Sequence, residues 1–97
     1  NSFPEVPSVT GIETYYFHEQ DKSLANFIHE GIIMETSERD RGIATESFFV
    51  IRQTFKPSVL LELGFLSNPE NSANLQTTGY QMKIVSGIIN GLQKYFQ

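Results

Sequence analysis

The chain contains no cysteine, which excludes disulfides, thiolate nucleophiles and cysteine-ligated zinc. Charge is also scarce, at 19% of 97 residues, and a chain so lightly charged does not read as intrinsically disordered. Basic residues number seven against eleven acidic, for a net charge of −4, so the positive footprint of a nucleic-acid binder is missing. No apolar run approaches the roughly 18 residues that a membrane span needs. No basic-then-apolar leader opens the chain, and its first residue is Asn1 rather than Met, as expected of a processed product or a fragment. What is present is 39% apolar residues, or about 38 side chains, enough for one modest core.

Two prolines in Asn1–Ser8 predict an extended opening loop. Gly11 to Phe17 (GIETYYF) alternates Ile12, Thr14 and Tyr16 with Glu13, Tyr15 and Phe17, a strand pattern. Asp21 suits the N-cap of a helix reaching about Glu35, with Leu24, Ile28 and Ile32 on its apolar stripe and Ala25 and Phe27 widening it. Thr36 to Gly42 reads as a charged surface loop, Ser47 to Arg52 as a second strand and Ser58 to Leu63 as a third. The aliphatic density of that third strand predicts burial on both faces. Ser67-Asn68-Pro69-Glu70 is a helix-start signature. Thr78 to Gln81 fits a capping box for the last helix, on which Tyr80, Ile84, Ile88 and Leu92 form a row flanked by Val85, Ile89 and Phe96. Strands separated by helices indicate an α/β layer fold. Three strands make a small sheet, so the chain reads as part of a domain.

One residue violates its surroundings. Glu62 sits in Val59-Leu60-Leu61-Glu62-Leu63, where a carboxylate costs desolvation energy unless something compensates it. It ends a strand just before a glycine, at the rim where ligands collect in open α/β sheets. Two readings stand: a general acid or base tuned by a partly dry site, or a strand-end carboxylate that reaches water or pairs with a lysine. His18 and His29 lack the spacing of three or four that lets helical ligands share a face, and read as a turn histidine and a half-buried helix histidine. Arg39, Asp40 and Arg41 suit either a grip on a carboxylate or phosphate or a solvated, locally paired loop. Gly87 and Gly91 lie inside the last helix, where close helix packing explains them. No Gly-rich nucleotide loop and no Gly-x-Ser-x-Gly elbow is present.

Several segments in order resemble zinc-dependent N-acetylmuramoyl-L-alanine amidases. They are Gly11-Ile12-Glu13-Thr14-Tyr15-Tyr16-Phe17, Arg39-Asp40-Arg41-Gly42-Ile43, Phe49-Val50-Ile51-Arg52 with Thr54 and Pro57, and Val59 to Pro69 (VLLELGFLSNP). Tyr80-Gln81 and Tyr95-Phe96 are similar as well. The resemblance spans essentially the whole chain. It implies a bacterial, secreted cell-wall hydrolase of autolysin type, built on a mixed, mostly parallel sheet flanked by helices. Its substrate would be the peptidoglycan amide joining N-acetylmuramic acid to L-alanine, cut by zinc-activated water with Glu62 as general base and acid. Asn1 matches the asparagine of the family's His-Ala-Asn stretch, and Asn1 and Arg41 are the substrate-binding candidates.

The same resemblance places every zinc ligand upstream of Asn1. Residues 1–97 are therefore expected to be the C-terminal portion of one catalytic domain, with Zn2+ held elsewhere in the parent. Alone, the chain is expected to bind no zinc tightly and hydrolyse nothing, since a catalytic zinc needs three protein ligands. A bared sheet edge predicts self-association or pairing with the missing portion. Two other readings compete. One is a non-catalytic fragment that binds wall polymer or a partner protein. The other is a glycosidase pairing Glu62 with Glu13 or Glu46.

Overall fold

A computed structural model describes residues 10–45, 56–64, 73 and 77–97. Within them run β1 (Ile12–Tyr16), α1 (Lys22–Thr36), β2 (Asp40–Thr45), β3 (Val59–Glu62) and α2 (Thr78–Tyr95). The strands form one sheet in the order β2-β1-β3, with β1 parallel to β2 and antiparallel to β3. The expected mixed α/β architecture is therefore present. The opening loop, the Ser47–Arg52 strand and the Ser67–Glu70 helix start lie outside the described residues.

Period-two alternation divides β1 cleanly. Ile12, Thr14 and Tyr16 are buried, while Glu13 and Tyr15 between them are half-buried. The buried set faces the helices: Ile12 joins Leu24, Ile28 and Ile32 of α1 and Ile84 of α2 in one core. Each isoleucine enclosed this way stabilises the fold by about 1.5–3 kcal/mol. From β3, Val59, Leu61 and Leu63 pack against that core, leaving Leu60 and Glu62 on the opposite face. All four β3 residues are half-buried, so the predicted burial on both faces gives way to one core-facing side.

The two helices touch backbone to backbone. A Cβ added to Gly87 would lie 2.5 Å from the Cα of Ile32 and 2.7 Å from the carbonyl oxygen of Gly31. One added to Gly91 would meet the Cα of Ile28 at 2.5 Å. Only glycine fits at such an approach, which confirms the packing role expected of both. The contact line consequently follows Ile84, Gly87 and Gly91, with Tyr80, Ile88, Leu92 and Tyr95 packed beside it. Val85, Ile89 and Phe96 lie too far round the helix and remain exposed.

Three local expectations are corrected. Thr36–Gly42 is not one loop: α1 continues through Thr36, Ser37 closes it in the left-handed region at φ 56°, and β2 begins at Asp40. Asp21 occupies the N-cap position of α1 after a short 3-10 turn but makes no capping bond. Its buried carboxylate instead accepts the backbone N–H of Ser58 at 3.1 Å, with His18 Nδ1 at 3.6 Å. That tertiary donor outcompetes the local one and anchors the chain just before β3. Finally, the N-cap of α2 is Thr77, one residue before the expected box, and its hydroxyl oxygen accepts the N–H of Tyr80 at 3.2 Å.

Candidate active site

Glu62 is the last residue of β3, and the chain turns soon after it at Gly64, whose φ of 123° favours glycine. Because β3 runs against β1, this carboxyl end lies beside the start of β1. Among the described strands, Glu62 therefore stands beside the start of β1 rather than beside the ends of β1 and β2. The antiparallel register sets Glu62 directly opposite Glu13, and Leu60 opposite Tyr15. Glu13, Tyr15, Leu60 and Glu62 thus share the face turned away from α1 and α2. The Tyr15 hydroxyl donates to Glu13 Oε1 at 2.8 Å.

Arg41 reaches the same face from β2. Asp40 points to the helices, where its carboxylate meets His29 of α1, so alternation sends Arg39 and Arg41 the other way. The surroundings of Gly11 agree: a Cβ there would lie 3.0 Å from both Arg39 Cβ and Arg41 Cγ. An extra residue in β2 produces the local offset. Ile12 pairs with Asp40 but Thr14 with Ile43, so Arg41 and Gly42 together oppose Glu13. Gly42, at φ 86°, takes the conformation that such a bulge demands. Across the sheet the face reads Arg41, Glu13, Glu62. Arg41 is exposed and Glu62 half-buried. Asn1 and Glu46 lie outside the described residues.

The histidines serve structure. His29 is fully buried rather than half-buried. Its Nε2 donates to Asp40 Oδ1 at 2.6 Å, while Nδ1 lies 2.9 Å from Thr14 Oγ1. A carboxylate only accepts, so Nε2 carries the hydrogen and the Thr14 hydroxyl serves the other ring nitrogen. This chain of bonds ties α1 to β1 and β2. The hydrogen bond from His29 is the main reason that the Asp40 carboxyl sits below its ordinary value of 3.8, assisted by the Gly42 N–H at 2.7 Å and opposed by desolvation. His18 stands at the turn with Nδ1 3.6 Å from the Asp21 carboxylate. Among the described residues, no group of three or more His, Cys, Asp or Glu is placed to hold a metal ion.

Glu13 is the residue that sequence reasoning weighed only as a glycosidase partner. Its signal was the alternation of β1, which separates it from the core, but its facing position required the strand register. On the helix side, burial and Glu38 push the Tyr80 hydroxyl up to about 12, so it remains protonated and bonded to Glu38.

Comparison with known proteins points to cell-wall amidases. The family model described as N-acetylmuramoyl-L-alanine amidase matches residues 1–94. The crystal structure of the N-acetylmuramoyl-L-alanine amidase from Clostridium difficile 630 superposes with a TM-score of 0.90 at 32% identity, covering 99% of this chain and 53% of that one. The catalytic domain of CwlV, the N-acetylmuramoyl-L-alanine amidase from Bacillus (Paenibacillus) polymyxa var. colistinus, gives 0.87 at 38% identity, again over 99% and 53%. The probable cell wall amidase LytH of Staphylococcus aureus is 31% identical over 96 residues, which is 99% of this chain and 33% of LytH. The chain thus spans about half of the solved catalytic domains and a third of LytH.

Proposed function

Because the chain belongs to the N-acetylmuramoyl-L-alanine amidase family, we propose that it is the C-terminal portion of a single catalytic domain that cuts peptidoglycan. The bond is the amide between the lactyl group of N-acetylmuramic acid and the L-alanine of the stem peptide. The observation carrying this reading is Glu62 at the end of β3, half-buried on the face that neither α1 nor α2 covers, in a chain that the family model matches over residues 1–94.

A carboxylate in that position takes a proton from the attacking water as the new C–O bond forms, and returns it to the nitrogen as the C–N bond breaks. The products are the lactyl carboxylate and the free amine of alanine. Arg41, on the same face, binds a carboxylate of the stem peptide, and Asn1 contributes to substrate binding. Zn2+ is the parent's cofactor, and its ligands lie outside this chain. The residues described here do not fit it, so the isolated chain is inactive. The bared sheet edge meets the missing portion or a second copy. The parent acts in the bacterial cell wall or outside the cell, as a secreted autolysin-type enzyme.

Glu62→Gln in the complete domain, with digestion of purified wall, tests this reading. Release of alanine amino groups should fall steeply while the fold is retained, and near-normal digestion would remove Glu62 from the mechanism. Chelation separates the glycosidase reading, which the facing Glu13 and Glu62 keep in view: an amidase loses activity in EDTA, and a two-carboxylate glycosidase keeps it.

A further inference from the structure

We propose that Glu13 is a positioning residue for Glu62, with Tyr15 holding it in that role. The proposal rests on Glu62 being the general base. Residues directly opposed in an antiparallel pair hold their Cβ atoms about 4.5–5.5 Å apart, where like charges destabilise the sheet. Glu13 and Glu62 occupy such a pair, so the arrangement works against stability and calls for another reason. The Tyr15 hydroxyl donates to Glu13 Oε1 at 2.8 Å. An O–H donor needs an acceptor, so this oxygen of Glu13 accepts, which engages Glu13 with Tyr15 and leaves Glu62 as the partner that exchanges the proton.

The groups around Glu62 are consistent with that division. From β1 it faces Glu13 and, diagonally, Tyr15; its same-face neighbour on β3 is Leu60. Arg39 and Arg41 share the face but stand on β2, beyond β1. α1 and α2 lie behind the sheet. Repulsion from Glu13 is relieved when Glu62 gains the proton of the attacking water, a state that exists only between attack and departure of the amine. An interaction that improves only there raises turnover rather than ground-state binding.

The test uses the complete parent amidase and measures wall digestion against pH for wild type, Glu13→Gln, Tyr15→Phe and Glu62→Gln. In Glu13→Gln, kcat should drop about tenfold with KM nearly unchanged, and the acid limb of the kcat profile should move about one unit to lower pH. Tyr15→Phe should move the limb the same way by less, and it carries the test should Glu13→Gln fail to fold. An unmoved acid limb in the folded variants overturns the proposal, whether or not kcat has fallen, because a merely structural role leaves the profile in place. Activity surviving in Glu62→Gln would instead overturn the reading of Glu62 on which it rests.

Discussion

On the side of β1 that faces the helices, Ile12 and Thr14 are fully buried, and Thr14 meets the buried His29, whose other nitrogen meets Asp40. On the other side Glu13 stays half-buried, opposite a second carboxylate and with Arg41 on the neighbouring strand. One strand five residues long therefore carries a satisfied polar bond network on one face and half of a like-charge pair on the other. The first arrangement stabilises the fold. The second costs stability and makes sense as chemistry, because unfavourable placement of charge persists where function requires it. The contrast is a separation of tasks along a period of two.

Substitutions on the two faces should break in different ways. The largest effect belongs to Glu62→Gln in the complete domain. Loss of a general acid–base group lowers kcat by about 10²–10⁴-fold, with a melting temperature at or above that of wild type, because a like-charge contact is also removed. A large fall in melting temperature would assign Glu62 to structure. On the helix side, Gly87→Ala should leave the chemistry alone and cost about 1–3 kcal/mol by overpacking, since the added methyl meets backbone on α1 rather than a movable side chain. Chemical denaturation of the complete domain reads this directly, and an unchanged midpoint would mean that the helices are not in backbone contact.

Smaller effects probe the edges of the helical layer. Thr77→Ala removes the hydrogen bond that Thr77 accepts from the Tyr80 N–H and should cost about 1 kcal/mol, with activity of the remaining folded protein unaltered. The smallest is the acid response of Asp40, whose side chain is more than half exposed. Its carboxyl is held below 3.8 in the fold, so its contribution is complete above that pH. It disappears as the pH falls through the lower folded value, where the native carboxylate finally takes up its proton. Asp40→Asn should therefore lower stability slightly at neutral pH and flatten the loss measured below about pH 4. Equal acid slopes in the two proteins would show that the bond to His29 is energetically silent.

Much of this was legible in the residues. The strand character of Gly11–Phe17, the stripe Leu24–Ile28–Ile32 and the row through Ile84 follow from periodicity, and the structure contains all three. Glu62 stood out because a carboxylate in an aliphatic segment has a physical cost. Two kinds of feature escaped. Asp21 looked like a helix cap, but its carboxylate found Ser58, a partner 37 residues away. His29 looked half-buried, since an imidazole at the margin of an apolar stripe gives no hint that Thr14 and Asp40 wait on two different strands. Bonds of that separation are not encoded in any local pattern.

The amino-acid order by itself determined which segments become strands and helices and which side of each is greasy, because those properties depend on neighbours one to four positions away. It also carried the ordered segments by which family membership is recognised. Only the three-dimensional arrangement decided that β3 lies antiparallel to β1, and thereby that Glu13 confronts Glu62 with Arg41 on the same surface. Strand direction and register are settled by which faces can be closed together, and that is a property of the assembled layers rather than of any one segment.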